Sequence, residues 1–118
     1  MRSNKQPVDL VHLGRYTGGD HTLNQEILGL FERQCHEILA QLETLAKESS
    51  DGKSWREITH SLKGAARGIG AFELAEAAAE AEKAQGGGRQ ALLEAVNRIK
   101  GKSSAVQLFI EQFLKGEG

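Results

Sequence analysis

The sequence predicts an all-α protein, and three observations carry that reading. Its only proline is Pro7, so no later segment contains the ring that breaks helices. Its apolar residues are mostly leucine and alanine, which favour helices. Aromatic residues make up 5% and valine and isoleucine are sparse, which disfavours strands. Its apolar positions recur every three or four residues over long stretches. A chain of 118 residues supports a single domain, 1–118, with one modest core.

Taken in order, residues 1–6 are expected to be a flexible N-terminus. Pro7 to Leu13 can form a short N-terminal helix of one or two turns, with Pro7 near its first position. Thr17-Gly18-Gly19 reads as a loop and Asp20 as the N-cap of the next helix. From His21 to about Glu48 the apolar positions are Leu23, Ile27, Leu30, Phe31, Cys35, Ile38, Leu42 and Leu45, the stripe of a long amphipathic helix. Ser49-Ser50-Asp51-Gly52 should break it. A further helix is expected from about Lys53 to Ile69, striped by Trp55, Ile58, Leu62, Ala65, Ala66 and Ile69 and ended by Gly70. An alanine- and glutamate-rich helix follows, from Ala71 or Phe72 to about Gln85. The alanine run 77–79 suggests close contact with another helix. Gly86-Gly87-Gly88 is a turn. The last helix runs from Arg89 to about Leu114 through Leu92, Leu93, Val96, Ile99, Val106, Phe109, Ile110 and Phe113. Gly101 and Ser103-Ser104 weaken its middle, where a kink or break is allowed. Four long helices joined by short turns predict an antiparallel up-down four-helix bundle over about 20–115.

Composition excludes several functions. The formal net charge is −1, which gives no reason to expect nucleic acid or an acidic membrane as partner. Cys35 is the only cysteine, so no internal disulfide can form and a reducing compartment is expected. No apolar stretch approaches the ~20 residues that cross a bilayer. Met1 to Val8 lacks the apolar centre of a signal peptide. A cytoplasmic location is the expectation. Gly52-Lys53-Ser54 and Gly101-Lys102-Ser103 look like the end of a phosphate-binding loop. That motif needs a glycine five residues earlier, where Lys47 and Val96 stand, and a preceding strand. His12, His21 and His36 have no metal-ligand spacing with Cys35 or one another, so no metal site is expected.

The informative histidine is His60. On a wheel of ~100° per residue it falls at about 140° from Trp55, opposite the apolar stripe. Arg56, Lys63, Gly64 and Arg67 lie within ~60° of it. His60 should therefore face solvent among cations. Gly64 sits one turn later and Gly68 another turn on. A glycine inside a helix costs ~1 kcal/mol relative to alanine, so two on one exposed side need a reason. They bare the backbone beside the imidazole and let another protein approach it. A neutral imidazole is a nitrogen nucleophile that can form a covalent phosphoryl intermediate. Cations placed as Lys63, Arg56 and Arg67 are suit a phosphoryl group, whose transfer is helped by positioning and charge.

The stretch His60-Ser61-Leu62-Lys63-Gly64-Ala65-Ala66-Arg67-Gly68-Ile69-Gly70-Ala71 resembles the signature of histidine-containing phosphotransfer (HPt) domains, His-x-Leu-Lys-Gly followed by Gly-Ala about ten residues after the histidine. Gly19-Asp20 opening a long helix with Phe31 is similar to the family's first bundle helix. Phe72 to Ala84 is similar to its third. The resemblance implies a phosphorelay intermediary without a nucleotide site, a carrier rather than a stand-alone kinase. His60 would be phosphorylated, through its outward ring nitrogen. Lys63 would support the phosphoryl group, and Gly64 would make room for the partner. The implied partners are receiver domains of response regulators and a sensor histidine kinase. No cofactor is implied on this chain, since the catalytic Mg²⁺ belongs to the receiver. Arg56, Glu57, Ser61, Arg67 and Gly68 are candidates for partner contact, as is the start of the first long helix around Asn24, expected to be exposed. Two other readings remain open. One is a helical-bundle adaptor that docks receivers without carrying phosphate. The other is a purely structural dimerising bundle, against the expectation of a monomer.

Overall fold

A computed structural model describes residues 6–48 and 52–117. These residues are all-helical, and no strand occurs among them. In chain order the helices are α1 (Leu10–Thr17), α2 (His21–Glu48), α3 (Gly52–Gly68), α4 (Phe72–Lys83) and α5 (Arg89–Gln112). A wider final turn, Phe113–Glu117, ends where Gly116 takes φ 83°. The expected flexible segment 1–6 lies outside the described residues except for Gln6, and so does the break at 49–51.

The short first helix lies later than expected. It begins at Leu10 because Asp9, not Pro7, starts it: the Asp9 carboxylate accepts from the amides of Val11 and His12 at 3.0 and 3.1 Å. It takes in Thr17, which was expected in the loop, and ends on Gly18 at φ 68°. Asp20 caps α2 as expected, accepting from the Leu23 amide at 2.8 Å.

Within α2 the buried residues are Asn24, Leu28, Phe31, Cys35, Leu42 and Ala46, a spacing of three and four turned slightly from the expected stripe. Leu23 and Leu30, placed on that stripe by spacing alone, are exposed. Asn24 is the opposite case: expected at the surface, it is buried, and its Oδ1 has no hydrogen-bond partner. Other helices, α1 and α5 among them, pack on α2, and the spacing within α2 does not contain them.

The remaining helices enclose one core. α2 contacts α3, α3 contacts α4, α4 contacts α5, and α5 returns to α2. Leu28, Leu42, Trp55, Leu62, Leu74, Ile99 and Ile110 are fully buried between them, each such side chain contributing about 1.5–3 kcal/mol by leaving water. The α3–α4 contact is the most extensive. On α4, Ala75, Ala77, Ala78 and Ala81 are buried, while Ala79 of the run 77–79 is only partly so. The Trp55 indole N–H donates to the Ala81 carbonyl at 2.7 Å.

The expected weak point in α5 is absent, since the helix runs unbroken through Gly101. Ser103 is buried rather than helix-breaking and meets the Cys35 thiol at 3.3 Å. Gly70 ends α3 at φ 83°. A Cβ there would come within 2.6 Å of the Asp9 carbonyl, because the strand of chain leading into α1 crosses that point. The Asp9 amide donates to the Gly70 carbonyl at 2.9 Å.

Candidate functional site

The rotation of α3 is set by what it buries. Trp55, Thr59, Leu62 and Ala66 point into the core. Thr59, absent from the expected stripe, is tolerated there because its hydroxyl donates back to the Trp55 carbonyl at 2.8 Å. With those residues inward, Arg56, His60, Gly64 and Arg67 must face out, and all four are exposed. The His60 side chain keeps 68% of its surface open to solvent.

The Trp55–Ala81 hydrogen bond also fixes what stands opposite His60. Ala81 is followed by Glu82 in the last turn of α4, and Glu82 reaches α3 with both carboxylate oxygens. Oε2 lies 3.4 Å from Nδ1 of His60, and Oε1 accepts from Nζ of Lys63 at 3.0 Å. One carboxylate therefore holds the imidazole and the ammonium together. The ring presents its Nδ1 edge to Glu82, which leaves Nε2 as the outward nitrogen. A carboxylate at Nδ1 favours the proton there and a lone pair on Nε2, the form of imidazole that attacks an electrophile. The Glu82 carboxyl is held below its usual range, first by the hydrogen bond from Lys63 and then by the charges of Lys63 and His60.

The structure thus brings His60, Lys63 and Gly64 together, with a difference for Lys63. Its spacing from His60 lets the ammonium reach the imidazole. It is turned toward α4 instead, largely covered, and meets His60 through Glu82. Glu82 is the residue that sequence reasoning missed. In sequence it is one of several glutamates on an alanine-rich helix, and only the Trp55–Ala81 register singles it out.

Gly64 is exposed as expected, whereas Gly68 is less open than expected. A Cβ built at Gly64 or at Gly68 would meet no atom within 4 Å, so helix packing requires neither to be glycine. Glu57 and Ser61 are exposed beside them, and Gly68 is half-buried at the end of the strip. Asn24 does not join this surface, because it is buried. Elsewhere, Cys35 is buried as expected of a small apolar residue, and burial pushes its thiol pKa up against a smaller opposing effect of Ser103. Gly52-Lys53-Ser54 forms the first turn of α3, and Gly101-Lys102-Ser103 lies inside α5. Neither is a loop after a strand, so neither has the setting of a phosphate-binding loop. Among the described residues no group of histidine, cysteine and carboxylate side chains is placed to hold a metal, and no helix is long and apolar enough to cross a membrane.

A family model described as Hpt domain matches residues 26–114, from the first turns of α2 to just past the end of α5. No curated protein and no solved structure matches the chain.

Proposed function

The chain belongs to the Hpt domain family, the histidine-phosphotransfer modules of two-component phosphorelays, and from that membership we propose that His60 is its phosphoryl carrier. Nε2 takes the group from the aspartyl phosphate of a receiver domain, or from a sensor histidine kinase, and passes it to another receiver's aspartate. The supporting observation is the imidazole itself: exposed on α3, held through Nδ1 by Glu82, with bare backbone at Gly64 one turn away. Lys63 stabilises the phosphoryl group, a short movement from its present place on Glu82. Gly64 and Gly68 admit the partner, and Arg56, Glu57, Ser61 and Arg67 border the contact. The chain is read as one domain whose helices alternate in direction, acting as a cytoplasmic monomer that meets receivers transiently. It binds no nucleotide, and the Mg²⁺ of the reaction sits on the receiver.

The test is transfer from a receiver charged with acetyl phosphate. The wild-type chain should acquire acid-labile phosphate, and ATP alone should leave it unlabelled. His60→Gln should lose transfer by at least ~10³-fold, since the nucleophile is gone, while still binding the receiver. Acceptance of phosphate by His60→Gln would remove the assignment. Binding without transfer by the wild type would favour the adaptor reading.

A further inference from the structure

We propose that the Glu82 carboxylate, shared with Lys63, sets how long a phosphoryl group survives on His60. The inference rests on His60 being the carrier and concerns the discharge of that group.

In charging, the Nε2 lone pair attacks phosphorus, the P–O bond to the donor carboxylate breaks, and its electron pair leaves with that carboxylate. The ring now carries Nε2–P and Nδ1–H and a positive charge. In discharge the Nε2–P bond breaks and its electron pair returns to Nε2. A new P–O bond forms to an acceptor carboxylate, or to water, which gives up its proton to solvent. The leaving group is neutral imidazole only while Nδ1 keeps its proton. Without that proton it would have to leave as an imidazolate anion, a far poorer leaving group. Whatever holds the proton on Nδ1 therefore shortens the life of the phosphorylated state.

Glu82 is placed to do so. Its Oε2 is 3.4 Å from Nδ1, and a nearby anion favours the protonated, positive ring. Lys63 acts in the opposite direction. It hydrogen-bonds the other oxygen of the same carboxylate at 3.0 Å and draws on the same negative charge. Among the described residues Glu82 is the charged group that α4 brings to this ring, and no ion pair reaches it from α2. Arg56, Glu57, Lys63 and Arg67 flank it on α3 itself. Because the ring is mostly exposed, solvent screens the coupling, and the expected changes are a few-fold.

The experiment uses the full chain charged on His60 with phosphoramidate, from which ammonia leaves. Loss of acid-labile phosphate is followed from about pH 5 to about pH 9, a span that brackets histidine titration. Glu82→Gln keeps a hydrogen-bond acceptor but no charge. Its phosphoprotein should last about two- to five-fold longer near neutral pH, with the hydrolysis midpoint moved to lower pH. Glu82→Asp, with the carboxylate drawn back by one methylene, should fall between. Lys63→Met should move the midpoint to higher pH, and that movement should be smaller in the Glu82→Gln background, where the part exerted through Glu82 is gone. A purely structural role would change lifetimes equally at every pH. Coincident midpoints for wild type, Glu82→Gln and Glu82→Asp, all folded by circular dichroism, would overturn the inference and leave the carrier reading standing. A wild-type chain that gains no His60-dependent acid-labile phosphate would overturn the carrier reading itself.

Discussion

On α3 and α5 alike, an open glycine inside a helix stands beside lysines paired with carboxylates of neighbouring helices. Gly64 is followed across the groove by the Lys63–Glu82 pair at 3.0 Å. Gly101 lies between Lys100, paired with Glu43, and Lys102, 2.9 Å from Glu73. A Cβ at either glycine would meet nothing within 4 Å. The difference lies in what completes each arrangement. On α3 the carboxylate's second oxygen reaches an exposed imidazole. On α5 the sequence from Ala91 to Glu111 holds no histidine at all. An exposed glycine with a lysine beside it is therefore no sign of a site by itself. What sets α3 apart is an exposed imidazole met by a carboxylate from another helix.

The comparison breaks most visibly under steric load. Gly64→Leu should reduce transfer from a phosphorylated receiver about 100-fold or more, since displacing reacting atoms by ~1 Å already costs that much. Charging by phosphoramidate, a donor small enough to pass the leucine, should stay within about two-fold of wild type. Gly101→Leu should leave both rates unchanged. If the two leucine variants slow receiver transfer equally, α3 has no privileged docking strip.

The contrast also shows what the sequence made legible. His60, Lys63 and Gly64 lie within five residues on one helix, so a wheel and a motif find them. The outward direction of His60 follows from the burial of Trp55, Leu62 and Ala66, which periodicity registers. Glu82 lies beyond that reach because it is separated from His60 by the turn at Gly70 and most of α4, and its place depends on how α4 packs on α3, including the hydrogen bond from Trp55 to Ala81. The turned stripe of α2 failed for the same reason. Leu28 is buried and Leu30 exposed because of where α1 and α5 pack, which the spacing within α2 does not contain. Ser103 read as a helix breaker because its partner, Cys35, is 68 residues away. Local pattern specified the helices and the exposed histidine. Contacts between helices specified which edge of its ring meets a carboxylate.

Smaller substitutions sharpen the comparison by separating stability from function. Gly64→Ala and Gly101→Ala each replace an open helical glycine with no packing cost and should each raise stability by about 0.5–1 kcal/mol in urea denaturation. The two should diverge in transfer: Gly101→Ala at wild-type rate, Gly64→Ala slower despite its greater stability. A Gly64→Ala protein that gains stability and loses nothing in transfer would mean that the bare backbone at that position serves no partner.

The smallest effect expected is on acid stability, and here the two regions should agree. Glu82 and Glu43 both have carboxyls held below the usual value of 4.5, chiefly by hydrogen bonds from Lys63 and Lys100. A carboxyl whose folded-state pKa is depressed adds stability above its unfolded value, and that stability is lost as pH falls through the folded one. Glu82→Gln and Glu43→Gln should therefore each lower the urea midpoint slightly at neutral pH. Both differences from wild type should close below about pH 4.5 as the carboxyls protonate. Solvent reaches both pairs, so neither difference should be large. A Glu82→Gln protein more stable than wild type at neutral pH, beside a Glu43→Gln protein that is less so, would separate the regions again. It would mean that the fold holds Glu82 against its own stability, for the sake of the imidazole it touches.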